Sequence, residues 1–202
     1  MKNKERILWI TQTALFLGLS FASQYYLTGL LSFNQYISQF AVGSLVNLFL
    51  ILSTLICGFW SGFTISAAAP FIAFSLGRMP HVWMIPFVAL GNIAITFVFW
   101  LICGKKIFSR KFTLNWAVAS AMGAFLKFGV LWFGITKIFA ELILPSDSAL
   151  KPAQIEKIGT AVSFTFSFPQ ILHALIGCIL SYAIYPVLKK VIPEKAENAQ
   201  KP

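Results

Sequence analysis

A lysine stands deep inside an apolar run. Lys127 has Gly123 and Gly129 beside it and Trp132 five residues on, in a stretch extending from Phe112 to Ile143. An ionisable side chain at that depth is costly and too far from either surface to reach water easily along its stem, so a role is the default expectation. The chemistry expected is a cation in a cavity that meets an anionic ligand, with Trp132 as a second candidate contact. A lysine satisfied by a backbone carbonyl, or reaching water, would leave the same trace in the sequence.

Other polar groups recur in apolar surroundings. Gln170 and His173 follow Pro169, which lacks an N–H and so frees backbone carbonyls and opens a kink toward a cavity. They share a stripe with Ser163, Ser167, Ala174, Gly177 and Ser181, whose spacing of three and four also suits a close-packing seam. Asn47 lies on a similar stripe with Ser44, Thr54 and Gly58, and Asn92 on one with Gly91 and Thr96; hydrogen bonding between helices is the competing reading for both. The short loop Gly77-Arg78-Met79-Pro80-His81-Val82-Trp83 combines a fixed cation, a titratable ring and an indole. Arg78, His81 and Trp83 suit recognition of a planar or anionic solute, and equally an interface anchor with a headgroup contact. The uncharged stretch from Thr28 to Tyr36 is expected to lie over the same mouth as a lid.

Several chemistries are excluded. No phosphate-binding Gly-x-x-x-x-Gly-Lys-Ser/Thr loop occurs, nor Gly-x-Ser-x-Gly, His-Glu-x-x-His or Cys-x-x-Cys. Paired carboxylates for acid–base work are missing, since Glu141 is the acidic residue near the membrane and is expected to pair with Lys137 four residues before it. No catalytic residue, cofactor or metal is expected. Cys57, Cys103 and Cys178 stand singly in or beside apolar segments and read as free thiols.

These groups need a scaffold in lipid. The chain has 202 residues, of which 58% are hydrophobic and 11% charged, with a mean hydropathy of +0.79. That is too apolar for a soluble domain, which carries about 25% charged residues. Six spans are predicted at Ile7–Leu27, Ile37–Gly58, Phe63–Leu76, Val82–Cys103, Phe112–Ile143 and Thr160–Val187. The third is short and contains Pro70, so it is expected to kink, tilt or begin nearer Trp60; the fifth is long enough that it must tilt, bend or project. The fold class is an all-α integral membrane protein, one six-helix domain over residues 1–191 with a polar tail over 192–202.

The +10 net charge sets the orientation. With the N-terminus inside, eleven Lys and Arg residues fall on inner segments and three on outer loops, while Lys127 and Lys137 lie within the fifth span. Tryptophans and tyrosines near the expected span ends agree, and both termini are predicted to be cytoplasmic. The opening Lys-Asn-Lys-Glu-Arg and the run after it also have the outline of a secretory signal. Nucleic acid is not an expected partner.

In the first span Ala14, Gly18 and Ala22 stand at four-residue spacing, a ridge of small side chains that lets another helix approach, whether from this chain or another. With this ridge, the six spans and the sparse outer loops, the chain resembles the substrate-binding S components of energy-coupling factor (ECF) vitamin transporters. The segments Ser66-Ala67-Ala68-Ala69-Pro70-Phe71-Ile72-Ala73-Phe74 and Pro86-Phe87-Val88-Ala89-Leu90-Gly91-Asn92 are also similar to that family. The resemblance implies a bacterial multi-pass protein of the cytoplasmic membrane. It further implies high-affinity binding of a vitamin-like small molecule and import driven by a transmembrane coupling subunit and two cytoplasmic ATPases. Ala14, Gly18 and Ala22 would dock on the coupling subunit, although Gly18 departs from a plain alanine pattern. A proton-coupled secondary transporter using His173 and Lys127, or a cell-envelope scaffold without a pocket, are the rival classes.

Overall fold

A computed structural model of the protein describes residues 3–109 and 111–192. Lys2, Arg110, Lys195 and Lys201 of the charge count, and the polar tail beyond Ile192, lie outside the described residues. Among the described residues the architecture is helical throughout: α1 (Asn3–Leu30), α2 (Gln35–Cys57), α3 (Phe59–Ser75), α4 (Met84–Phe99), α5 (Phe112–Leu131), α6 (Pro152–Thr165) and α7 (Pro169–Val191). Short connections make successive helices from α1 to α5 antiparallel neighbours. α2 occupies the middle and packs against α1, α3, α4 and α7, and α5 closes the bundle between α4 and α7.

Five stretches are long and apolar enough to cross a membrane; the sixth, α3, has 17 residues. At 1.5 Å per residue it spans about 26 Å, slightly less than the hydrocarbon core. It begins at Phe59 rather than Phe63 because one residue suffices to turn the chain out of α2: Gly58 has φ +94° and ψ 171°, a conformation open to glycine but not to residues with a Cβ. Pro70 lies buried inside α3, where it denies the Ser66 carbonyl its helical donor.

The fifth span runs unbroken from Phe112 to Ser146 but changes pitch. From Trp132 to Ile143 it is π-helical, ending in a 3₁₀ turn at Leu144–Ser146, and α4 likewise ends in a π-helical turn at Trp100–Gly104. The i to i−5 bonds that define this pitch are Leu144 N–H to the Phe139 carbonyl and Lys105 N–H to the Trp100 carbonyl, the latter 3.0 Å long.

The sixth span is not one segment from Thr160. Helix starts at Pro152 and breaks at Phe166–Phe168 ahead of Pro169, which has no N–H to carry the helical ladder on to the Thr165 carbonyl. The early part was missed because Gln154, Glu156 and Lys157 mask its apolar face. That face, with Ile155, Ile158 and Val162, lies on a core of Met84, Leu131, Ile135 and Phe139. A second core, with Ile51, Ile95, Phe99, Trp116, Ala174 and Cys178, fills the end of the bundle where α1 starts and α7 ends. Between α2 and α7 the backbones nearly touch: a Cβ on Gly177 would lie 2.5 Å from the Asn47 Cβ and 2.8 Å from the Ser44 carbonyl oxygen. Cys57 and Cys178 are buried and Cys103 is half-buried; all three are free thiols.

Candidate functional site

A cavity of about 110 Å³ lies between the helices, in the half of the bundle away from the chain termini. Its wall takes Gln24 from α1, Gln39, Gly43 and Asn47 from α2, Ala69 and Ala73 from α3, Arg78 and Met79 from the α3–α4 turn, and Val88 and Asn92 from α4. Lys127 and Leu131 of α5, Phe166 at the helix break, and Gln170 and His173 of α7 complete it. Six of the residues singled out from the sequence, Asn47, Arg78, Asn92, Lys127, Gln170 and His173, thus share one space.

Lys127 is 4% exposed, and its Nζ donates to Asn47 Oδ1 at 2.6 Å and Asn92 Oδ1 at 2.8 Å. Its partners are side-chain amides on two other helices rather than a backbone carbonyl. Asn47 is held in turn by its Nδ2 donating to the Gly43 carbonyl at 2.9 Å. Both protein partners of Lys127 among the described residues are neutral, so two of its three donors are used and its charge is not compensated. Among the described residues no carboxylate lines the cavity, whereas a second cation, Arg78, does. Burial lowers the Arg78 pKa from its ordinary value, but a guanidinium stays charged.

Around this cationic centre stand polar groups without partners. His173 is 2% exposed; its Nε2 has no hydrogen bond, and its ring meets Phe40 edge-on at 4.4 Å between centroids. The ring fits only because residue 43 is glycine: a Cβ there would stand 2.8 Å from His173 Nδ1. Gln24 is equally buried and its Nε2 is also unpaired, while Gln170 donates from Nε2 to the Thr165 carbonyl at 3.2 Å. Gln24 and Gln39 were not anticipated. An amide in an apolar run was the available signal, and on α1 the small-residue ridge drew the reading to the opposite face.

Three expected contacts lie elsewhere. His81 and Trp83 line a separate cleft with Ser146, Asp147 and Ser148. His81 Nε2 lies 2.9 Å from Asp147 Oδ2, and His81 Nδ1 accepts from the Trp83 N–H at 3.3 Å, which assigns the ring proton to Nε2. This hydrogen bond is the main cause that holds the Asp147 carboxyl below its ordinary pKa, helped by the Ala149 N–H. Trp132 is exposed, with Lys137 Nζ 5.7 Å from its ring centroid; Lys137 also pairs with Glu141 at 2.6 Å, as its spacing suggested. Most of the stretch from Thr28 to Tyr36 is helical: α1 runs to Leu30 and α2 starts at Gln35.

On α1 the buried side chains are Thr13, Phe16, Ser20, Ser23 and Gln24. The ridge lies on the other side: Ala14 and Gly18 are exposed, Ala22 is partly so, and a Cβ on Gly18 would meet nothing within 4 Å. Packing within this chain therefore does not account for Gly18. The family model for the substrate-specific component of ECF transporters matches residues 9–189.

The chain belongs to that family. It is a membrane protein of the substrate-binding kind, not a catalytic enzyme, and belongs with the membrane and ATPase module that drives ECF transport. No curated protein and no solved structure matches this S component.

Proposed function

We propose that this S component binds a vitamin or related micronutrient bearing a carboxylate or phosphate in the cavity around Lys127, for ATP-dependent uptake. The observation that carries the reading is the company Lys127 keeps: two neutral amides, a second cation across the cavity and, among the described residues, no carboxylate. A buried cation without a counter-ion is costly, and an anionic ligand offsets that cost on binding. Arg78 contributes a fork of donors suited to a carboxylate or phosphate, and the unpaired Gln24 Nε2 and His173 Nε2 supply neutral hydrogen bonds. Asn47 and Asn92 position the ammonium, and Gln170 completes the wall.

The charge pattern supports an orientation with both termini cytoplasmic in a bacterial membrane, since Lys4, Arg6, Lys105, Lys106, Lys111, Lys189 and Lys190 lie toward the terminus-bearing end. The cavity then opens in the outer half. The exposed ridge of Ala14, Gly18 and Ala22 supports docking on a transmembrane coupling subunit, with two cytoplasmic ATPases completing the importer.

The experiment is native mass spectrometry of the protein purified in mild detergent from its own host. Retention of an anionic, vitamin-sized molecule that is lost from Lys127→Met supports the reading. A wild-type chain that retains a cationic or uncharged solute overturns it.

A further inference from the structure

A second and larger recess, of about 570 Å³, opens at the other end of the bundle. It is unrelated to the ligand cavity and lies between the ends of α2 and α4, the start of α5 and the end of α7. Its rim carries three lysines, Lys106, Lys189 and Lys190, and the described residues that line it include no carboxylate. Its walls are apolar: Leu55, Phe112 and Tyr185, the two rings stacked 5.6 Å apart at an interplanar angle of 14°. Phe112 is 38% exposed, so this wall is open to the surroundings of the bundle.

The loop that carries Lys106 is anchored at Ser109. Asn115, buried at the start of α5, accepts from the Ser109 N–H at 2.8 Å and donates to the Ser109 carbonyl at 2.5 Å. Lys106 itself has φ +53°, the one described residue other than glycine in left-handed backbone, a costly conformation that persists where the surroundings dictate it. Lys105 is turned aside onto the Trp100 ring, 4.3 Å from its centroid. The chain thus spends backbone strain and a buried amide clamp on setting one lysine at the rim of an apolar groove.

From this juxtaposition we infer that the groove seats an anionic phospholipid, its phosphodiester between Lys106 and Lys190 and an acyl chain against Phe112 and Tyr185. A soluble phosphate would use the lysines and leave the aromatic wall idle; a zwitterionic lipid would bring its own cation against the rim. A basic recess between helices at a membrane surface matches an anionic lipid in both charge and polarity gradient.

The test titrates the full-length protein in mild detergent with dioleoyl phosphatidylglycerol or dioleoyl phosphatidylcholine and counts retained lipid by native mass spectrometry. The expected result is that the anionic lipid is held about tenfold more tightly, and that Lys106→Gln with Lys190→Gln removes the difference. Equal retention of the two lipids by the wild type, or an unchanged preference in the double variant, overturns the inference. A measurement on the wild-type chain stands independently of how the variant folds. Cys103 lines the groove and is the half-buried thiol of the three. Its alkylation by N-ethylmaleimide, followed by peptide mapping, should slow in nanodiscs of phosphatidylglycerol relative to phosphatidylcholine. Equal rates, or the same protection from glycerophosphate in phosphatidylcholine nanodiscs, would sink the lipid assignment, the latter in favour of a soluble phosphate.

Discussion

The ammonium of Lys127 on α5 lies 2.6 Å from the amide oxygen of Asn47 on α2, a contact that joins residues 80 apart in sequence. Asn92 on α4 completes the cradle at 2.8 Å, so one side chain ties three helices together without a counter-ion. Lys127→Met keeps the length of the stem and removes the charge. It is expected to weaken retention of the native ligand by more than about tenfold while expression is maintained, because an anion loses its buried partner. Unchanged retention would remove Lys127 from the site.

The close approach of α2 and α7 sets a second expectation. Gly177→Ala places a methyl against the Asn47 Cβ and the Ser44 carbonyl, neither of which can swing away as a long side chain could. Separating the helices should cost about 1–3 kcal/mol. It should also displace Asn47 from Lys127, so ligand retention falls together with thermal stability. Calorimetry in detergent checks the first effect and native mass spectrometry the second. A stable variant with intact retention would show that the seam yields.

The cleft beside the α3–α4 turn responds to acid. The His81 hydrogen bond holds the Asp147 carboxyl below its ordinary value of 3.8, so this carboxylate stabilises the fold above that value. The contribution is lost as the pH falls through the lowered value. The unfolding midpoint of Asp147→Asn should therefore lie below that of the wild type at neutral pH, and the two should converge in acid. A gap independent of pH would mean that the pair contributes nothing through its charge.

On the far side of α1, Gly18→Leu adds bulk where this chain has no neighbour within 4 Å. Ligand binding and stability should be unaffected, whereas co-purification with a coupling subunit and uptake in cells should be abolished. Loss of binding in the same variant would place the ridge within the protein's own packing.

Much of the architecture is visible in hydropathy because lipid forces each crossing to satisfy its own backbone. Lys127, Asn47 and Asn92 stand out for the same reason, being polar groups where the solvent offers no partner. What hydropathy does not register is pitch: the π-helical run from Trp132 to Ile143 is as apolar as an α-helix would be. Nor does it register a helix that rests on protein instead of lipid, and so the polar first turns of α6 were read as loop. Gln24 escaped notice because α1 has two working faces and the small residues advertise only one. The His81–Asp147 pair spans 66 positions, a distance over which sequence carries no pairing signal.

Phe166 has a double position: it ends α6, where it packs with Val162 against the core beneath the π-helical run, and it forms part of the cavity wall above Gln170. The cavity wall and the end of α6 share one residue. Its bulk is thus shared between the packing of α6 and the wall, so a smaller residue there would loosen the helix and enlarge the cavity at one stroke.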